Sequence, residues 1–220
     1  MTEPYLTNPK TIAGDSFALI RQELAVAGFR FAAPRADIIE RIIHSTADFD
    51  FAETTHFSPN AVEAGIAALK NGCPIICDVN MVRVGISQPR VADLGGTIDC
   101  FVAEPVVRQR AEATETTRSA MGIRWAAEQG LIDGGLVVIG NAPTALFEAI
   151  KLIDEGVRPA LIVGVPVGFV STVESKAALA EMTAVPWITT LGRKGGTPVA
   201  VAVVNALLRL AVEAKAEEVD

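Results

Sequence analysis

At 220 residues, half of them apolar and with a formal net charge of −7, the chain fits one α/β domain over 1–220 with a sheet covered on both faces. The negative charge repels nucleic acid and anionic lipid at long range, which removes both as expected partners. No apolar run reaches the roughly 18–20 residues that cross a bilayer, and the opening MTEPYLTNPK has no basic segment followed by an apolar core, so the expected location is cytoplasmic.

The N-terminal part reads as helices. Asp15 or Ser16 is placed to cap a first helix with Phe17, Ile20 and Leu24 on one face. Pro34 opens a second, whose apolar side is Ile38, Ile39, Ile42 and Ile43. A third starts with Ser58 as N-cap and Pro59 in its first turn, and Gly72 stands where a glycine follows a helix end. Beyond it, apolar runs at 74–77, 98–102, 136–139, 160–165 and 187–191 alternate with helical patterns at 117–129, 143–155, 172–182 and 198–213. The charged end, AKAEEVD, is expected to fray. Continuous rather than alternating apolarity marks strands buried on both faces. The expected fold is therefore a three-layer α/β/α sandwich with a mostly parallel, doubly wound sheet and N-terminal helices. Cys73 and Cys77 share one face of the strand-like CPIIC and read as small core residues. Cys100 completes neither a disulfide framework nor, with only two histidines, a metal site.

In such a fold, ligands gather past the carboxyl ends of the strands. Three glycine-bearing turns stand there. GNAPTAL, at 140–146, leaves the N–H groups of Gly140, Asn141 and Ala142 at the start of a helix. GVPVGFV begins at Gly164, and GRKGGTP sets Arg193, Lys194 and Gly195 in one turn. Together they predict a cradle for an anion. No G-x-G-x-x-G follows the first strand and no G-x-x-x-x-G-K-[ST] occurs, which counts against a nucleotide-binding enzyme.

His44 ends the second helix in RIIHSTADFD, where the helix dipole and nearby Asp48 and Asp50 would favour its protonated form. A plain helix-end cap is the alternative. His56 reads as a loop residue. Arg118, among Thr116, Thr117 and Ser119, suits either a carboxylate or a solvated helix surface. Ser87 adds a hydroxyl close to Arg83 and Arg90. With no G-x-S-x-G elbow, this inventory fits proton transfer to a large polyanion better than hydrolysis or redox chemistry.

With these residues in place, the chain resembles the precorrin-8X methylmutase family of corrin biosynthesis over nearly its whole length, from SFALI at 16–20 to NALLRL at 205–210. RIIH (41–44), FSP (57–59), CDVNMV (77–82), TRSA (117–120) and GNAPTAL (140–146) carry the resemblance, with PVGFV (166–170), ESK (174–176) and GRKGG (192–196). The resemblance implies a homodimeric isomerase with a shared active site. Such an enzyme moves a methyl group from C-11 to C-12 of precorrin-8X or cobalt-precorrin-8, giving hydrogenobyrinic or cobyrinic acid. The shift is intramolecular, so no organic cofactor and no protein-bound metal is expected. The resemblance also implies that His44 protonates the ring-C nitrogen and that Ser87 and Arg118 bind the corrinoid. GRKGG and the DFDFAE stretch incline it toward the cobalt-containing substrate. A non-catalytic tetrapyrrole carrier would use the same turns, but would survive loss of His44.

Overall fold

Each of the five apolar runs holds a strand, although the run at 98–102 does so only over 98–99 and continues as loop, and a sixth strand joins them at the edge. The structure, a computed structural model, describes residues 7–217. In chain order the elements begin α1 (Pro9–Val26), α2 (Arg35–Thr46), α3 (Phe51–Thr54), β1 (Thr55–Phe57), α4 (Ala61–Lys70) and β2 (Pro74–Cys77). They continue with α5 (Asn80–Gly85), α6 (Gln88–Leu94), β3 (Thr97–Asp99), α7 (Pro105–Ala113), α8 (Arg118–Glu128) and β4 (Leu136–Ile139). The last are α9 (Pro143–Asp154), β5 (Leu161–Gly164), α10 (Thr172–Ala180), β6 (Trp187–Thr190) and α11 (Thr197–Glu217).

The sheet runs β1-β6-β5-β4-β2-β3, parallel throughout except for β1 on β6. Although the parallel strands are apolar on both faces, the pleat sorts their side chains. Ile75, Cys77, Leu136, Val138, Leu161 and Val163 enter one core with α1, α2, α4 and α11. Ile76, Val137, Ile139 and Ile162 enter the other, with α8, α9 and α10. Four isoleucines of α2 (Ile38, Ile39, Ile42 and Ile43) are fully buried against the long α11. From β2 the chain passes to β3 on one side and later returns as β4 on the other. The carboxyl ends of β2 and β4 therefore flank the switch-point crevice where such sheets take ligands.

Several local expectations are corrected. Asn8 caps α1, its side chain accepting from Lys10 N–H at 3.0 Å, so Asp15 and Ser16 lie inside the helix. Ser58 does not cap α4. Its hydroxyl instead accepts from Trp187 N–H at 2.8 Å, and Asn60 in a left-handed conformation (φ 56°) precedes the helix. His56 belongs to edge strand β1, which was too short to show alternation. The short helices α5, α6 and α7 went unread because one or two turns carry too little periodicity. Residues 214–217, expected to fray, continue α11; 218–220 lie outside the described residues.

Candidate active site

The crevice between β2 and β4 is already filled by a side chain of the protein. Asp78, immediately past β2, is 1% exposed. Its carboxylate accepts from Gly140 N–H at 3.0 Å, Asn141 N–H at 2.9 Å and Ala142 N–H at 2.8 Å. Burial raises its pKa above the ordinary carboxylate value, while the three amide donors pull the other way. The amides of the GNA turn are thus donors to an internal anion, and the expectation that they cradle a substrate anion is corrected. Gly140 itself is required by packing: a Cβ there would stand 2.7 Å from Val82 Cγ2 and 3.0 Å from Ala200 Cβ.

The two later turns are laced together. Gly196 N–H donates to Val165 O at 2.8 Å, and Gly168 N–H to Arg193 O at 3.3 Å. A Cβ on Gly195 would collide with the carbonyl oxygens of Val165 and Pro166, and one on Gly164 with the side chains of Leu179 and Leu146. Both glycines let the backbone of these turns approach its neighbours closely. Lys194 is also committed. Its ammonium reaches Asp48 and Asp50 at 2.6 Å each, which holds the Asp48 carboxyl below its usual range. Asp48 and Asp50 therefore face Lys194 instead of supporting His44. Beneath the turn, fully buried Lys176 donates to Lys194 O at 2.7 Å, and burial lowers its pKa to about 8. Arg193 keeps its charge free of carboxylates and lies over the Phe169 ring at 5.4 Å. Phe169 and Val170 are each 82% exposed beside it.

His44 is in the last turn of α2 with its imidazole exposed. Its ring stacks on Phe17 of α1, centroids 4.8 Å apart and planes 12° from parallel. Among the described residues no hydrogen bond involves it, so it caps none of their carbonyls; the Ser45 and Thr46 hydroxyls donate to Ile42 O, each at 2.9 Å. The Lys194 clamp on the turn just after α2 brings this helix end to the rim of β6. Ser87 N–H donates to Asn205 Oδ1 of α11 at 2.9 Å, which leaves the Ser87 hydroxyl without a partner among the described residues. Arg118 opens α8 on the opposite face, exposed and unpaired among the described residues, with Thr117 as N-cap. Thr117 Oγ1 lies 2.7 Å from Thr144 Oγ1, which ties this helix start to the GNAPTAL turn. Thus His44 and Ser87 stand on one helix layer and Arg118 on the other. Both layers deliver them to the carboxyl rim of the sheet.

Sequence reading missed the roles of Asp78, Phe17 and Lys176. Asp78 carried a signal, a carboxylate ending the first central strand at a switch point. Phe17 read as core because its spacing matched Ile20 and Leu24. Among the described residues no cluster of histidine, cysteine and acidic side chains could hold a metal ion.

Residues 11–210 match the family model described as precorrin-8X methylmutase. The chain is 46% identical to the cobalt-precorrin-8 methylmutase of Methanocaldococcus jannaschii, covering 93% of this chain and 95% of that protein. It is 40% identical to the precorrin-8X methylmutase of Pseudomonas aeruginosa, over 92% and 96% respectively. The crystal structure of precorrin-8x methyl mutase from Thermus thermophilus superposes with a TM-score of 0.86 at 42% identity, covering 94% of this chain and 98% of that one.

Proposed function

The chain belongs to the precorrin-8X methylmutase family, and we propose that it moves a methyl group from C-11 to C-12 of cobalt-precorrin-8, with His44 as general acid. The family makes the chain an isomerase of cobalamin biosynthesis; the residue roles and the cobalt-containing substrate are our reading. The observation that carries it is the His44 imidazole, exposed at the strand rim, stacked on Phe17 and without a hydrogen-bond partner among the described residues. Such a group can present a proton to a ligand without first breaking a bond within the protein.

The imidazolium donates to the ring-C imine nitrogen. The protonated, conjugated ring is a better electron sink, which lowers the barrier to methyl migration. Once the methyl has moved, the proton returns to His44, so the isomerisation is proton-neutral. A positioned general acid contributes about 10²–10⁴-fold; the remainder comes from holding the macrocycle in a reactive conformation. The Arg118 and Arg193 guanidinium groups, neither paired with a carboxylate among the described residues, bind carboxylate arms of the substrate, Ser87 offers its hydroxyl, and exposed Val167 and Phe169 pack on the ring face. Any cobalt arrives within the substrate.

The whole chain, 1–220, serves as one catalytic domain. Because Arg118 and His44 sit on opposite helix layers, a second copy related by twofold symmetry completes the site, the commonest arrangement of homo-oligomers. Incubation with cobalt-loaded and metal-free precorrin-8 tests the reading, followed by visible spectrum: faster conversion of the cobalt form is expected, and conversion of neither overturns it. Sedimentation should give a dimer; a fully active monomer would contradict the shared site.

A further inference from the structure

Lys194 joins the helix that carries His44 to the turn that carries Arg193. It follows Arg193 after β6, and its ammonium reaches Asp48 Oδ2 and Asp50 Oδ2 at 2.6 Å each. Both carboxylates belong to the turn that closes α2, just past His44. Asp48 is itself built into that turn. Its N–H donates to Thr46 Oγ1 at 3.3 Å, and its Oδ1 accepts from Asp50 N–H at 3.0 Å. Ala47, between Thr46 and Asp48, stands in the left-handed region (φ 52°), which a residue with a Cβ keeps only when its surroundings hold it there. Without the ammonium the two carboxylates would repel each other; with it they close the turn onto β6.

The other end of this tie is fixed from beneath. Lys194 O accepts from Lys176 Nζ at 2.7 Å and from Thr190 Oγ1 at 3.1 Å, and both donor residues are fully buried. Lys176 has no carboxylate partner among the described residues. The backbone of Lys194 is thus anchored on α10 and β6 while its side chain crosses to the end of α2. Arg193, its neighbour in the chain, accepts from Gly168 N–H at 3.3 Å through its carbonyl and lies over Phe169 through its guanidinium. The Lys194 side chain is 49% exposed and those of Asp48 and Asp50 are 29% and 68% exposed, and ion pairs in water of this kind add little to stability. Their effect on geometry is larger, because a misplacement of about 1 Å can cost a reaction about 10²-fold. The tie therefore matters more for where His44 stands than for whether the chain folds.

We propose that Lys194 is a positioning residue for the methyl shift: by clamping the turn after α2 to the turn after β6, it sets His44 at its working distance from the ring that Arg193 and Phe169 hold. The assignment rests on the corrinoid reading above, and the test separates the two. Single-turnover conversion of cobalt-precorrin-8 and spectral titration of the product corrinoid acid are measured on the full-length protein. The variants are Lys194→Gln, Lys194→Arg and the pair Asp48→Asn with Asp50→Asn. Lys194→Gln should lose about tenfold in rate and keep product affinity near that of wild type, because its side chain is turned to the aspartates. The asparagine pair cuts the same tie from its other end, so it should lose as much, and adding Lys194→Gln to it should cost nothing further. Lys194→Arg can still bridge two carboxylates and should recover most of the rate. Melting temperatures should stay within about 4 °C of wild type. In the His44→Ala background, Lys194→Gln should leave the residual rate unchanged, since the group it positions is gone. A wild-type rate in Lys194→Gln overturns the proposal and leaves the acid assignment standing, as does an undiminished loss in the His44→Ala background. A joint fall of rate, affinity and melting temperature marks a merely structural role and overturns it too. Turnover by His44→Ala at the wild-type rate instead overturns the acid assignment, and this proposal with it.

Discussion

Replacing Asp78 with alanine removes one acceptor group and strands three donors. The carboxylate meets Gly140, Asn141 and Ala142 N–H groups at 2.8–3.0 Å. Gly140 is buried, Ala142 half-buried and Asn141 exposed, so water can rescue the last amide, partly the second, and not the first. A buried donor left without a partner costs about 1–3 kcal/mol, and each lost charge-assisted bond about 1.5–3 kcal/mol. Release of the buried charge offsets part of this, since burial already disfavours the ionised form. The net cost should be about 3–5 kcal/mol, which in a chain of this size lowers the melting temperature by roughly 10 °C. Asp78→Asn should fall between wild type and alanine: its one carbonyl oxygen can replace Oδ2, which serves two amides, while its NH₂ is left facing Gly140 N–H. Thermal melts followed by far-UV circular dichroism measure both. An alanine variant melting within about 2 °C of wild type would refute the reasoning that this carboxylate organises the turn.

The remaining predictions concern the loops around the site. Lys176, whose pKa burial lowers from 10.5 to about 8, binds fewer protons folded than unfolded between those values. Wild-type stability should therefore rise with pH across that window, by up to about 3 kcal/mol, and urea melts of Lys176→Met should lack this slope. Arg193→Gln should weaken product binding several-fold, whereas Lys194→Gln should leave it nearly unchanged, because the Lys194 ammonium is held by Asp48 and Asp50; equal losses in spectral titrations would reverse that distinction. The Lys194 pairing lowers the Asp48 pKa below 3.8, so any stability that wild type gains over Lys194→Gln should disappear as pH falls through that lowered value, checked by melts in acid.

Much of the sheet was legible because its strands are continuous apolar runs closed by glycine or a charged residue. Residues 74–77 and 136–139 coincide with β2 and β4, and α2 shows its four isoleucines at helical spacing. Edge strand β1 was not legible, since THF has three residues and pairs with β6 from 131–135 positions away. At the site, the sequence showed where glycines and cations fall but not what each one faces. GNA was readable as a strand-to-helix turn, yet only the fold brings Asp78 to its amides across a separation of 62–64 residues. Likewise Lys194 and Asp48 are 146 residues apart. An anion cradle and an internally filled one look alike in a sequence, because the partner that fills it is remote.

On the proposed mechanism the exposed, Phe17-stacked imidazole of His44 is the acid that drives the methyl shift. Single-turnover conversion of cobalt-precorrin-8 by wild type and His44→Ala, paired with product titrations of both, tests it most directly. The alanine variant should lose about 10²–10⁴-fold in rate and keep product affinity within about tenfold, the pattern of a group acting in the transition state. Turnover by His44→Ala at near the wild-type rate would contradict it.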